Sequence, residues 1–227
     1  LIILLSGGMD STVLTAWAWA SGGETVEAVS VHYGQRHARE LDAAKAVAAH
    51  YRIRHDVVDL AVLRDHLTGS ALTGDIPVPE GHYSAPSMAA TVVPNRNAIM
   101  LMIGAGIAAA RGHNQVATAV HAGDHPIYPD CRPEFITAAS LTAQLGTSGY
   151  GNVEIIAPFA RQTKADIARR GHDLAAPVRL SWSCYQGGEV HCGRCGTCVE
   201  RWEAHRDAGL LDPTVYADPK FAATVTA

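Results

Sequence analysis

The chain has 227 residues, 48% of them hydrophobic, which suffices for one compact domain with a real core and excludes global disorder. Its 18 basic and 22 acidic residues give a net charge of −4, the wrong balance for a protein that coats nucleic acid. No apolar run reaches the roughly 18 residues of a membrane span, and the opening LIILL is too short for a signal-peptide core, so a cytoplasmic protein is expected.

The chain opens on Leu1 rather than methionine, so at least one residue is expected to precede it. LIILL (1–5) reads as a buried strand and TVLTAWAWA (12–20) as the helix after it, with Trp17 and Trp19 expected in the core. VEAVSVHY (26–33) is a second strand. ARELDAAKAVAAHY (38–51) is an amphipathic helix with Leu41, Ala44, Val47 and Ala48 on one face. RHDVVDL (54–60) is a third strand, followed by a short helix around AVLRDHL. Between Thr68 and Pro94, four prolines and three glycines without a sustained period predict a long loop. NAIMLMIGAGIAAARG reads as a buried helix, QVATAV as a strand, PEFITAASLTAQL as a helix, VEIIAP as a strand and TKADIARRG as a helix. Strands alternating with helices predict an α/β fold, a parallel sheet with helices on both faces. From Trp182 to Cys198, WSCYQGGEVHCGRCGTC reads as neither helix nor strand, so a separate constraint must hold it.

The first strand ends at Ser6, and SGGMDS leads into a helix. In an open α/β sheet, ligands sit beyond the carboxyl ends of the strands. The unpaired N–H groups and positive dipole end of the following helix favour an anion there. Gly7 and Gly8 permit close approach of the backbone, and Ser6 and Ser11 add hydroxyls, so the chemistry indicated is phosphate binding. No Gly-Lys-Ser/Thr follows, and the pattern is not G-x-G-x-x-G. A tight turn capped by Asp10 or Ser11 would explain Gly-Gly by itself. Three polar side chains between strand and helix favour the phosphate.

Four of the five cysteines, Cys184, Cys192, Cys195 and Cys198, are spaced C-x7-C-x2-C-x2-C. Such turns let thiolates converge on one tetrahedral ion, and four cysteines leave no open position, which predicts structural zinc. Disulfides are disfavoured in a cytosolic protein and awkward at this spacing, and an iron–sulfur cluster is the lesser alternative. His191, Arg194 and Arg201 are placed to offset the thiolate charge. Cys131 stands apart and reads as a buried small residue.

SGGMDS at the end of a first strand resembles the PP-loop of the N-type ATP pyrophosphatases, which include GMP synthetase, NAD synthetase and several tRNA-modifying enzymes. VHYGQRHAREL (31–41), VPNRN (93–97), DHPIYPDCRPEFI (124–136) and the SWSC that opens the cysteine run resemble, together with that loop, the 7-cyano-7-deazaguanine synthase family. These stretches extend from residue 5 to residue 198, and their joint occurrence is far more specific than any one of them.

The resemblance implies a Rossmann-like, PP-loop (adenine nucleotide alpha hydrolase-like) domain over 1–180 and a small zinc-binding segment over 181–227 packed on it as a single unit. It implies ATP bound by Leu5, Ser6, Gly7, Gly8, Met9, Asp10, Ser11, Thr12, Val13, Leu14 and Thr15, with Mg²⁺ at the phosphates and structural Zn²⁺ on the four cysteines. Catalytic roles fall to Asp10, Arg36, Arg96, Asp130, Arg132 and Lys164. Substrate contacts fall to His32, Gln35, Asn97, Asp124 and Tyr128. Met9 stands where many relatives carry glutamine, so any polar role there passes to the backbone. The implied reaction joins 7-carboxy-7-deazaguanine and ammonia into the nitrile, in queuosine biosynthesis, through an activated carboxylate and an amide. No glutaminase is recognisable, which predicts free ammonium as the nitrogen source. A homodimer is implied, with no nucleic-acid or membrane partner.

Plainer readings stand beside these. Arg36 and Arg39 would pair with Glu40 or Asp42 on a solvated helix face. Arg96–Asn97 would be a turn and cap for a helix starting at Ala98, and Lys164 a surface lysine. A tRNA-modifying PP-loop enzyme would want a basic surface, which the composition lacks. A nucleotide-binding module without catalysis, or the same chemistry in another deazapurine pathway, are the remaining alternatives.

Overall fold

The computed structural model describes residues 1–36 and 39–226, the side chain of Glu24 apart. Its strands are β1 (Ile2–Leu4), β2 (Glu27–His32), β3 (Arg54–Asp59), β4 (Gln115–Ala117) and β5 (Glu154–Ile156). They form one parallel sheet in the order β3-β2-β1-β4-β5. The helices are α1 (Met9–Gly22), α2 (Arg39–Tyr51), α3 (Arg96–Ala110), α4 (Pro133–Gly146), α5 (Lys164–Asp173), α6 (Gly196–Ala208) and α7 (Phe221–Val225).

Strand alternation builds a core on each face of the sheet. Ile2, Val29, Val116 and Ile155 pack with Leu101 and Ala105 of α3 and Ile136 and Ala139 of α4. Ile3, Ala28 and Ala117 pack with Val13 and Leu14 of α1, Ala44 and Val47 of α2, and Ile167 of α5. Helices thus cover both faces, as the alternating pattern predicted. Strand order reverses between β1 and β4, and the crevice at their carboxyl ends is where such sheets bind ligands.

Several boundaries differ from the sequence reading. β4 and β5 are three residues each because the chain leaves the sheet early; Thr118, Ala119 and Val120 line the crevice instead of extending β4. The helix predicted from Ala38 is described from Arg39, Ala38 lying outside the described residues. AVLRDHL forms a 3-10 turn, Ala61–Asp65. The 68–94 loop contains a 3-10 turn at Pro86–Thr91 and reaches the cysteine segment through a bridge between Glu80 and Cys195.

The segment expected to lack regular structure ends in helix α6, which starts before Cys198. Its buried side includes Glu200, Arg201 and His205, so the apolar periodicity that betrays a helix is missing. Arg201, 1% exposed, donates to Ser181 Oγ (2.7 Å), Ser183 Oγ (3.1 Å) and the Val178 carbonyl (3.0 Å). These bonds fasten α6 to the preceding strand of chain. The C-terminal tail packs on the cysteine segment: Ala222 is buried, and Arg194 lies over the Phe221 ring at 4.2 Å.

Candidate active site and metal centre

Gly7 and Gly8 do different things. Gly7 has φ +87°, and a Cβ there would overlap the Glu40 carbonyl oxygen and stand 2.8 Å from Ala44 N. Its missing side chain is therefore demanded by the packing of α2, a reason the sequence reading did not foresee. Gly8, the residue before α1, has ordinary extended φ and ψ, and a Cβ there meets nothing closer than Ser6 Oγ at 3.5 Å. Neither Asp10 nor Ser11 caps α1. Ser11 Oγ instead accepts from Gly7 N–H (3.2 Å), donates to the Gly8 carbonyl (3.1 Å) and meets Ser6 Oγ at 3.0 Å. The loop is thus held by its own hydroxyls, with the end of α1 facing a cavity of about 220 Å³.

Leu5, Ser6, Gly8, Met9, Asp10 and Ser11 line that cavity; Thr12, Val13, Leu14 and Thr15 are buried in α1 below it. Lys164 enters from α5, whose start is fixed by a capping box: Thr163 Oγ1 accepts from Asp166 N–H, and Asp166 Oδ2 accepts from Thr163 N–H. It is no surface lysine. Its Nζ lies 2.6 Å from Asp10 Oδ2, 2.9 Å from Glu200 Oε2 and 3.1 Å from His121 Nε2. Burial would lower its pKa, but Asp10 and Glu200 hold the ammonium charged. Burial would likewise raise Asp10, yet Lys164 and His121 keep its carboxyl below the usual value. Asp10 Oδ1 is buried without a hydrogen-bond partner among the described residues. Asp124 completes the cluster, accepting from Tyr83 Oη (3.2 Å) and from His121 N–H (3.1 Å).

The opposite wall is aromatic and cationic. Tyr33, Tyr83, Tyr128, Tyr185 and Trp182 line the cavity together with Arg96, whose Nη1 donates to Tyr33 Oη (3.1 Å) while its Nε is buried without a hydrogen-bond partner among the described residues. Helix α3 begins at Arg96 itself, after Asn95 in the left-handed region, rather than at Ala98. Glu40 faces this wall, and burial, partly offset by Arg96, pushes its carboxyl up to about 7. The folded pKa lies above the unfolded 4.5, so this group's contribution favours folding below pH 4.5 and is lost as pH rises through 7. The full difference is on the order of 3 kcal/mol. Glu40→Gln is therefore expected to melt higher than the parent at pH 8 and equally at pH 4.5; equal melting at both would contradict the burial cost.

Of the other predicted residues, Gln35, Asn97, Asp124 and Tyr128 line the cavity. Asn97 donates to the Asp130 carbonyl and to Cys131 Sγ, and Asp130 Oδ2 accepts from Asn97 N–H, so this pair ties α3 to the 129–132 turn. His32 meets Asp59 at 3.1 Å, Arg36 donates to the Ile76 carbonyl, and Arg132 donates to the His125 carbonyl; none of these lines the cavity. The expected pairing of Arg36 and Arg39 with neighbouring acids is absent among the described residues, and Arg39 lies over the Trp182 ring at 5.3 Å. Cys131 is buried, as expected, with burial raising its thiol pKa. Sequence reading missed His121, Glu200 and Glu40. Only His121 left a local trace: it and Asp124 form a reciprocal cap three residues apart.

Sγ atoms of Cys184, Cys192, Cys195 and Cys198 all lie within 4.8 Å of one another, and all four are free thiols. Around a tetrahedral ion with sulfur at about 2.3 Å, sulfurs stand roughly 3.8 Å apart; Cys192 and Cys198 are at 3.9 Å. Backbone N–H groups of Cys192, Arg194 and Cys195 already point at sulfur, each at 3.3 Å. The donors and geometry fit a metal ion. The three side chains expected to balance its charge are engaged elsewhere. Arg194 pairs with Glu80 and Asp218, and Arg201 lies near Asp212. His191 accepts from Ser183 N–H and is pushed down to about 4 by burial and then by Arg201. The backbone N–H groups of Cys192, Arg194 and Cys195 take that part. The segment also touches the loop directly, since Trp182 N–H donates to the Gly7 carbonyl (2.8 Å).

No helix among the described residues is long and apolar enough to cross a membrane. Two relatives named 7-cyano-7-deazaguanine synthase match over nearly their full lengths. That of Rhizobium rhizogenes is 52% identical over 99% of this chain and 95% of its own; that of a Ruegeria species is 51% identical over 97% and 94%. Among solved structures, the NH3-dependent NAD synthetase from Campylobacter jejuni in complex with the nitrate ion is 15% identical, with a TM-score of 0.49 over 99% of this chain and 81% of that one. A model of queuosine biosynthesis protein QueC matches residues 1–209, and with that match the chain belongs to the QueC family.

Proposed function

We propose that the chain is an ATP-dependent carbon–nitrogen ligase that turns 7-carboxy-7-deazaguanine and ammonia into 7-cyano-7-deazaguanine. Family membership and the name borne by relatives about half identical to it support the reaction. The observation that carries it at the site is the convergence of the α1 N-terminus, Gly8 and Lys164 on one cavity at the β1/β4 crevice.

A carboxylate does not react usefully with ammonia, because oxide is not a leaving group. Attack of its oxygen on phosphorus of ATP expels pyrophosphate and makes an acyl-adenylate. Ammonia adds to the acyl carbon, AMP leaves, and the amide forms with loss of one proton. The amide oxygen then attacks a second ATP, and departure of AMP with two protons leaves the nitrile. Both rounds begin with oxygen attacking phosphorus, so one site serves both. The protein's share is positioning and charge stabilisation. The loop N–H groups, Ser6, Ser11 and Lys164 hold the phosphates, and Arg96 with the tyrosine wall takes the planar acid and its carboxylate. A Mg²⁺ ion accompanying the nucleotide would be held by Asp10, whose Oδ1 is otherwise unpartnered, with Asp124 beside it. Zinc suits the four thiolates and would be structural there. We assign Asn97 and Asp130 to holding α3, and His32, Arg36 and Arg132 to the surrounding loops.

Free ammonium is the proposed nitrogen source; Cys131 is buried and accepts a hydrogen bond from Asn97, which suits a packed thiol rather than an amidotransferase nucleophile. The exposed Leu141, Leu145 and Tyr150 on and after α4 support a homodimer, and the cytoplasm is the proposed compartment. The test incubates purified protein with the acid, ammonium, Mg²⁺ and ATP and follows acid, amide, nitrile and nucleotides by mass spectrometry. Nitrile requiring both ATP and ammonium, with AMP formed, is expected. Bound ATP with no conversion of the acid would overturn the proposal.

A further inference from the structure

Lys164 is held by two carboxylates, one on each side. Asp10 belongs to the phosphate loop, as expected of a partner there. Glu200 belongs to α6, and nothing in the loop requires it. Its Oε2 is 2.9 Å from Lys164 Nζ, and its Oε1 is 3.9 Å from His121 Nε2. It is the only carboxylate that α6 presents to the cavity among the described residues. A lysine ammonium sits on a flexible four-carbon stem, and one ion pair leaves it free to swing about that contact. Two anchors from different elements fix the point in space.

The position of α6 is itself fixed twice. At its start, Cys195 caps the helix and Cys198 lies in its first turn, both in the sulfur cluster. One residue past Glu200, the buried Arg201 bonds to Val178, Ser181 and Ser183. Glu200 therefore stands on a segment bolted on both sides, which is an expensive place for a carboxylate unless its location matters.

We propose that Glu200 is a positioning residue: it sets where the Lys164 ammonium stands before the phosphates of ATP, and through α6 it makes that placement depend on the cysteine centre. The inference rests on the reading of Lys164 as a phosphate contact. It predicts that Glu200 acts through Lys164 and has little effect without it.

A double-mutant cycle tests this. Glu200→Gln, Lys164→Met and the pair are compared by direct ATP binding, by kcat and KM for ATP, and by metal content and melting temperature. Glu200→Gln is expected to retain the metal and to lower kcat/KM for ATP at least tenfold in the parent, but less than threefold in the Lys164→Met background. Glu200→Asp, which keeps the charge and withdraws it by one methylene, is expected to recover part of that loss. Equal loss in both backgrounds, or unchanged kcat/KM in Glu200→Gln, would overturn the proposal. So would a loss that tracks melting temperature and is not recovered by Glu200→Asp. Should Lys164→Met itself leave ATP binding and turnover intact, the reading of Lys164 fails first, and the cycle shows that separately.

Discussion

Gly7→Ala is expected to yield little folded protein, whereas Gly8→Ala folds normally and loses ATP binding. The two glycines are adjacent, and either would be read from sequence as room for a phosphate. At Gly7 the obstacle is the protein. Its φ of +87° disfavours any L side chain, and the atoms an added methyl would strike are backbone, the Glu40 carbonyl and Ala44 N in the first turns of α2. Backbone in a helix packed on the sheet cannot give way as a side chain would, so α2 must shift away from the loop. Strain plus lost packing amounts to roughly 3–5 kcal/mol, a large part of a typical domain's stability. At Gly8 the backbone is relaxed and no protein atom lies within 3.4 Å of the added carbon, so the melting temperature is expected to move by no more than about 2 °C. The methyl stands instead at the end of α1 that faces the cavity, where a phosphate must approach the N–H groups. ATP affinity measured by calorimetry is expected to fall by about 2–3 kcal/mol, or roughly 30- to 150-fold, the cost of losing charge-assisted contacts to the backbone. A Gly8→Ala protein that binds ATP like the parent would mean that the phosphates lie elsewhere.

The contrast also marks what a sequence can tell. Strand–helix alternation, the loop at the end of β1 and the four-cysteine spacing are written locally, in periods and intervals, and the structure has them where those intervals placed them. The buried charges at the other side of the cavity are not written that way. Lys164, Asp10 and Glu200 are separated by more than thirty residues at the closest, and only the α1–α5–α6 packing brings them together. Helix α6 was invisible because its inward face carries Glu200, Arg201 and His205, which read as solvent-facing until their partners are known. Glu40 was taken for a helix-surface acid for the same reason. Its raised pKa comes from burial in the folded chain, which has no signature near residue 40.

Removal of the metal is expected to have the second large effect, and to be felt at the nucleotide. Cys195→Ser, or treatment with a thiophilic chelator, takes away a ligand set that would hold four segments of chain together. The thiolates join the 184 turn, the 192–195 turn and the start of α6, and through Glu80 and Gly81 the long 68–94 loop is bridged to the same place. Little hydrophobic burial backs up this region: Ala71, Val78, Cys184, Cys195 and Cys198 are its buried apolar residues. Metal binding supplies folding free energy in such segments. A loss of about 5 kcal/mol is expected, which lowers the melting temperature of a chain this size by roughly 10–20 °C. The sheet and its two cores do not pass through the cysteines, so circular dichroism is expected to retain most of its helical signal below that temperature. ATP binding should weaken even so. Trp182 N–H caps the Gly7 carbonyl, and Glu200 on α6 holds Lys164, so loosening this one segment releases the loop and the lysine together. A metal-free protein with the parent's melting temperature would make the cluster a passive set of thiols. One that melts early yet binds ATP with full affinity would separate the cysteine centre from the site it adjoins.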